Sequence, residues 1–152
     1  MEHRKNGFLL FLIFFVGINV SSARGNVGTA AQKASPGVTG TYSVAYKRGA
    51  GCSLKVLQQS NGKIKFALEC NRGAPSYNSG TASGVIEIKQ GVAVYGTNEY
   101  GGKCEIKFEF KGNKVAVSQT GGDFECGFGH GVTCDGAYLL KSRRPPKFDP
   151  EI

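Results

Sequence analysis

Lys63-Ile64-Lys65-Phe66-Ala67-Leu68-Glu69-Cys70 sets apolar Ile64, Phe66, Leu68 and Cys70 against Lys65, Ala67 and Glu69 between them. Cys104, Ile106, Phe108 and Phe110 alternate in the same way with Glu105, Lys107 and Glu109. Successive side chains of an extended chain point to opposite faces, so a period of two buries one set and wets the other. This is the pattern of half-exposed antiparallel strands. Shorter runs repeat it at Ile86 and Ile88, Val92 and Val94, and Val115 and Val117. Between the runs stand Asn61-Gly62, Gln90-Gly91 and Gly112-Asn113. These are two-residue hairpin signals, because such turns need positive φ at one or both central residues. The pattern predicts eight strands: Thr41–Tyr46, Ser53–Gln59, Lys63–Cys70, Ser83–Lys89, Val92–Thr97, Lys103–Lys111, Lys114–Gln119 and Ala137–Lys141. Consecutive hairpins with one apolar face must close or stack. An all-β, small antiparallel barrel of about eight strands is the simplest closure, and a two-sheet β-sandwich is the alternative.

The chain has 152 residues, and its ends differ from this body. Residues 1–23 carry a charged start, Glu2-His3-Arg4-Lys5, then an apolar run from Gly7 to Val20, then Ser21-Ser22-Ala23. That order reads as a signal peptide cut before Arg24, and the apolar run is shorter than the roughly 20 residues of a spanning helix. A secreted or periplasmic protein with no stable membrane anchor after cleavage is expected. Residues 24–39 are small and polar, a flexible N-terminal arm. The β-barrel domain spans 40–140. Residues 141–152 form a basic, Pro-rich C-terminal tail that cannot continue a sheet interior. The formal charge is +8 for the whole chain, and loss of Arg4, Lys5 and Glu2 leaves it strongly basic. An acidic partner is therefore one expectation. Scattered lysines without an arginine-glycine array or zinc-finger spacing argue against nucleic acid.

Five cysteines remain after cleavage, in a chain expected to meet an oxidising compartment. The hairpin at Asn61-Gly62 brings Cys52 nearly opposite Cys70, which suits a cross-strand disulfide. Cys104 with Cys126 would close one end of the barrel and leave Cys134 as a free thiol. Cys126 with Cys134 is the competing pairing, leaving Cys104 free.

Asp123 to Tyr138 is rich in glycine and holds His130, the only histidine after residue 3. Cys126, His130 and Cys134, with Asp135 beside them, are zinc-ligand types, but they lack the paired short spacings of structural zinc sites. No metal and no cofactor are expected. A thiol-dependent enzyme using Cys126 or Cys134 with His130 is one reading, although no orienting third group can be assigned. The preferred reading is structural: the glycines let the chain cross a barrel end, which Phe124 and Phe128 plug. Two other long connections, Asn71–Ala82 and Asn98–Gly102, are expected opposite this segment, and they carry Tyr77 and Tyr100. Loop residues Tyr77, Tyr100, Phe128 and His130 are the candidate binding residues, since loops on a rigid scaffold carry recognition.

The run Cys126-Gly127-Phe128-Gly129 followed by Gly136-Ala137-Tyr138 resembles the closing segment of small secreted bacterial proteins. With the leader, size and barrel, the chain is similar to the periplasmic inhibitors of c-type lysozyme. That resemblance implies a disulfide-tied eight-stranded barrel that offers a loop to an enzyme cleft. The family's Ser-Gly-x-x-Tyr loop has no literal counterpart: Ser79-Gly80 and Ser83-Gly84 lack the tyrosine, and Asp135-Gly136-Ala137-Tyr138 has Asp for Ser and one residue fewer. The function expected is a secreted, non-catalytic binding protein acting on a protein partner, as an inhibitor of an extracellular or cell-wall-acting protein. A small-ligand carrier is the alternative from another class. It needs a cavity where Phe66, Phe108 and Phe110 instead suggest a filled core.

Overall fold

A computed structural model describes residues 37–149. The expected signal peptide (1–23), the arm as far as residue 36 and the last three residues lie outside the described part. Eight strands follow in order: β1 Gly40–Ala45, β2 Gly51–Gln58, β3 Lys63–Asn71, β4 Ser79–Lys89, β5 Val92–Thr97, β6 Cys104–Lys111, β7 Lys114–Thr120 and β8 Gly136–Ser142. Each pairs antiparallel with its sequence neighbour, and β8 closes on β1, so the sheet is a barrel and not a sandwich. Among the described residues closure leaves no edge strand to template aggregation.

The alternating residues point as their period requires. Val56 faces Phe66, Leu54 faces Leu68 and Ile64 faces Ile86 across neighbouring strands. Phe66 and Phe108 are fully buried with ring centroids 5.1 Å apart, and Tyr95 meets Phe66 edge-on at 5.4 Å. Tyr42 and Tyr138 fill the remaining width, each nearly fully buried. The barrel axis is thus packed with side chains. A cleft of about 600 Å3 is open at one mouth, where Val38, Ile88 and Phe110 line it.

In an up-and-down barrel alternate connections share an end. The tight turns at 59–62, 90–91 and 112–113 lie at one end, and the long connections at 46–50, 72–78, 98–103 and 121–135 lie at the other. This corrects the expectation that Asn71–Ala82 and Asn98–Gly102 stand opposite the Asp123–Tyr138 segment: all three are at the same end. β4 also starts at Ser79 instead of Ser83, because Ser79, Gly80 and Thr81 pair with Asn71, Cys70 and Glu69. At the tight-turn end Lys141 and Ser142 complete β8 instead of opening the tail. Arg143 then donates to the Gly37 carbonyl (2.6 Å), the Gly112 carbonyl (3.2 Å) and Asn113 Oδ1 (2.9 Å). The tail goes on round the wall until Phe148 lies under Lys65 Nζ, 4.9 Å from its ring centroid.

Candidate recognition surface at the long-loop end

The β7–β8 loop is built from its aspartate outward. The Asp123 carboxylate accepts the Phe124 N–H at 2.8 Å on one oxygen and the Gly131 N–H at 2.5 Å on the other. His130 Nδ1 stands 3.7 Å from that second oxygen. The Gly131 N–H above all, with help from the Phe124 N–H and His130, holds the Asp123 carboxyl below its ordinary pKa. Backbone bonds from Gly127 to the Phe124 carbonyl (2.9 Å) and from Phe128 to the Asp123 carbonyl (2.7 Å) wind the segment into a turn. Gly127 takes φ +71° inside it, a conformation that suits glycine. The Cys104–Cys126 disulfide pins this turn to β6.

The turn sends two phenylalanines in opposite directions. Phe128 is 3% exposed and rests on Gly80, so this expected contact residue belongs to the core. Phe124, expected to plug the barrel, is 63% exposed. A Cβ on Gly80 would lie 2.4 Å from the Phe128 ring, which explains why β4 carries no side chain there.

The other three long loops are fastened to this one. Arg72 Nη1 and Asn78 Nδ2 donate to the His130 carbonyl at 3.3 and 2.8 Å, and the Gly129 N–H meets the Ser79 carbonyl at 2.9 Å. The Tyr100 ring lies flush on Gly127, where a Cβ would come within 2.6 Å of it. Tyr46 donates its hydroxyl to the Asp135 carbonyl. Each loop thereby presents an aromatic side chain outward: Tyr46, Tyr77, Tyr100 and Phe124. His130, its side chain 74% exposed, lies beside Phe124 with centroids 6.0 Å apart. Among the described residues the other large hydrophobics exposed to this degree are aliphatic: Val85, Val94 and Leu139. Charges on these loops balance, Lys47, Arg48, Arg72 and Lys103 against Glu99, Asp123, Glu125 and Asp135.

Of the residues singled out from sequence, Tyr77, Tyr100 and His130 share this end, and Phe128 lies beneath it. Tyr46 escaped notice, and Phe124 was expected inside the barrel end and not on this surface. Counting connections would have placed both their loops here, since the first, third, fifth and seventh loops of such a barrel must meet.

Two disulfides form, Cys52–Cys70 and Cys104–Cys126, and they fit an oxidising compartment. The competing Cys126–Cys134 bond is not made. Cys134 is a free thiol with no exposure, and its Sγ and N–H both point to Gln119 Oε1 at 3.3 and 3.1 Å. Burial, with the Asp135 charge nearby, pushes this thiol up to about 12. Asp135 holds the corner by accepting the Gln119 N–H (2.7 Å) and the Thr133 hydroxyl (2.6 Å). Cys126 is therefore tied in a bond, and Cys134 is a protonated group in the core, while His130 is turned to solvent beside Asp123.

Comparison of the chain with protein-family models, with curated proteins and with solved structures gives no match.

Proposed function

We propose that this chain is an exported, non-catalytic binding protein that grips a protein partner with its long-loop end. One observation carries the reading: four separate loops at one end of the barrel each carry an exposed aromatic side chain, Tyr46, Tyr77, Tyr100 and Phe124, with His130 beside the last. Tyrosine and phenylalanine offer large contact area for few rotatable bonds, and such residues dominate binding energy at protein interfaces. The loops are already held by a disulfide and by bonds between them. Little ordering entropy is then lost on association, which favours affinity. A balanced charge on these loops lets contact rest on shape and apolar area. Inhibition of an extracellular or cell-wall-acting enzyme is the specific form this takes, with the aromatic surface covering the enzyme's cleft. The thiol-dependent reading is weaker, because Cys126 is bonded and Cys134 lies in the core.

The test is capture from the native extracellular fluid by the mature chain and by a Tyr77→Ala/Tyr100→Ala variant, each washed at low and high salt. A partner that survives high salt on the native protein and is lost from the variant supports the reading. Equal retention by both refutes it. A c-type lysozyme added in parallel separates the inhibitor form from binding in general.

A further inference from the structure

The net positive charge of this barrel is gathered at one pole. On the long loops cations and carboxylates balance. Along the wall Lys55, Lys65 and Lys107 are offset by Glu69, Glu105 and Glu109. The excess lies at the tight-turn end and in the tail, in Lys111, Lys114, Lys141, Arg143, Arg144 and Lys147, all exposed. Among the described residues, none of these six forms an ion pair. The Glu109 carboxyl, held at 3.0 Å by Lys107, also feels Lys111, and the tail carries one carboxylate of its own, Asp149. Lys111 and Lys114 are direct cross-strand partners, a like-charge pairing that opposes the sheet. Lys114 in turn pairs with Leu139, two residues before Lys141 on β8. Arg143 donates only to neutral oxygens.

The cations follow a curve. They start on β6 and β7, cross β8, and continue through Arg144 and Lys147 along the tail, which reaches the wall beside Lys65 of β3. β3 is separated from β8 by β1 and β2, so the band runs round about half of the barrel. A flat bilayer or a stiff duplex can touch only one side of such a band. The exposed aromatic side chains that would insert into lipid or stack on bases are at the opposite pole. Among the described residues the large exposed apolar side chains beside the band, Leu139 and Val85 (the cross-strand partner of Lys65), are isolated aliphatic ones. We infer that this band binds a flexible anionic glycan, a polysaccharide carrying sulfate or carboxylate groups, which wraps the tight-turn end and leaves the aromatic loops clear.

The probes are heparin for the sulfated form and polygalacturonate for the carboxylated form, with phosphatidylglycerol vesicles and duplex DNA beside them. The mature full-length chain is compared with a Lys111→Gln/Lys114→Gln/Lys141→Gln/Arg144→Gln variant. A Lys47→Gln/Lys55→Gln/Lys103→Gln/Lys107→Gln variant removes equal charge elsewhere. At about 50 mM salt the band variant should bind its preferred glycan at least ~30-fold more weakly and the control less than ~3-fold, since each neutralised anion releases counterions. A tail-only Arg144→Gln/Lys147→Gln variant leaves every strand intact and should weaken binding about 5-fold or more by the same argument, so the test survives if the fourfold change disturbs folding. Glycan preference between the two probes identifies the anionic group. Equal losses in band and control variants, tighter binding to vesicles or DNA than to either glycan, or no glycan binding would overturn the inference.

Discussion

Gly80→Ala measures how firmly the loop end is clamped to the barrel. The added methyl would sit 2.4 Å from two Phe128 ring carbons and 2.8 Å from its Cβ. Ordinary carbon contacts are about 3.5–4.0 Å, so the ring or the strand must retreat by more than about 1 Å. Neither moves easily. Phe128 is held by the Asp123 carbonyl, its neighbour Gly129 by the Ser79 carbonyl, and Cys126 by its disulfide. Gly80 itself pairs with Cys70, half of the other disulfide. Overpacking of this kind costs about 1–3 kcal/mol, and the rigid setting argues for the upper part of that range. Replacing glycine within a strand returns about 0.5–1 kcal/mol through backbone entropy. The net loss is about 2 kcal/mol, read as a fall in Tm of roughly 10 °C for a domain of this size. Urea unfolding with unchanged slope would confirm that the native state alone is affected. Phe128→Ala alone should cost about 3–5 kcal/mol through the cavity it leaves. The double variant should lose at least about 1 kcal/mol less than the two single losses together, because the methyl then fills part of the void. Additive losses, or a Gly80→Ala protein as stable as the parent, would show that Phe128 does not rest on Gly80.

Other outcomes follow from the same contacts. Removing the second disulfide with Cys104→Ser/Cys126→Ser releases a 22-residue separation and should cost about 3 kcal/mol in thermal or urea unfolding. The Cys134 thiol should resist alkylation at mild alkaline pH in the native protein and react fully once unfolded, as counted by mass. Its folded pKa is raised, so its contribution to stability is intact below the unfolded value of roughly 8.5 and is lost as pH rises through about 12. Cys134→Ala should flatten that alkaline decline. Asp123 is the opposite case: its lowered pKa gives stability that is present above the unfolded value of roughly 3.9 and lost as pH falls through the folded one. Asp123→Asn should remove that acid dependence and loosen the His130–Gly131 segment, seen as faster amide exchange at Gly131.

The barrel could be read from the chain because its signal is local. Period two at Ile64, Phe66 and Leu68 fixes a buried face, and the turn at Asn61-Gly62 is there, although it takes in Ser60 as a third residue. This three-residue turn sets Cys52 against Cys70, where a two-residue one would set Cys52 against Asn71. The start of β4 was invisible for a physical reason. Ser79, Gly80 and Thr81 carry no hydrophobic alternation, and Gly80 is small because Phe128, 48 positions away in the chain, occupies its space. Both Phe124 and Phe128 read as plugs and only Phe128 is one, because a glycine-rich turn has no period from which facing can be inferred. The gathering of Tyr77, Tyr100 and His130 depends on strand parity and not on composition. Tyr46 is tied to that end through a bond to a residue 89 positions away.

The two unlike poles make the molecule an electrical arrow. The β3 strand alone is nine residues long, roughly 30 Å when extended, against a screening length of about 8 Å in physiological salt. Strand tilt shortens this along the axis, so the loop end lies about two to three screening lengths from the tight-turn end and feels the band weakly. Even a basic protein can approach the aromatic surface without strong repulsion, although the chain as a whole carries +8. Near a negatively charged wall the torque acts before contact does. The molecule turns band-inward as it drifts, and its aromatic face arrives already facing away from the wall.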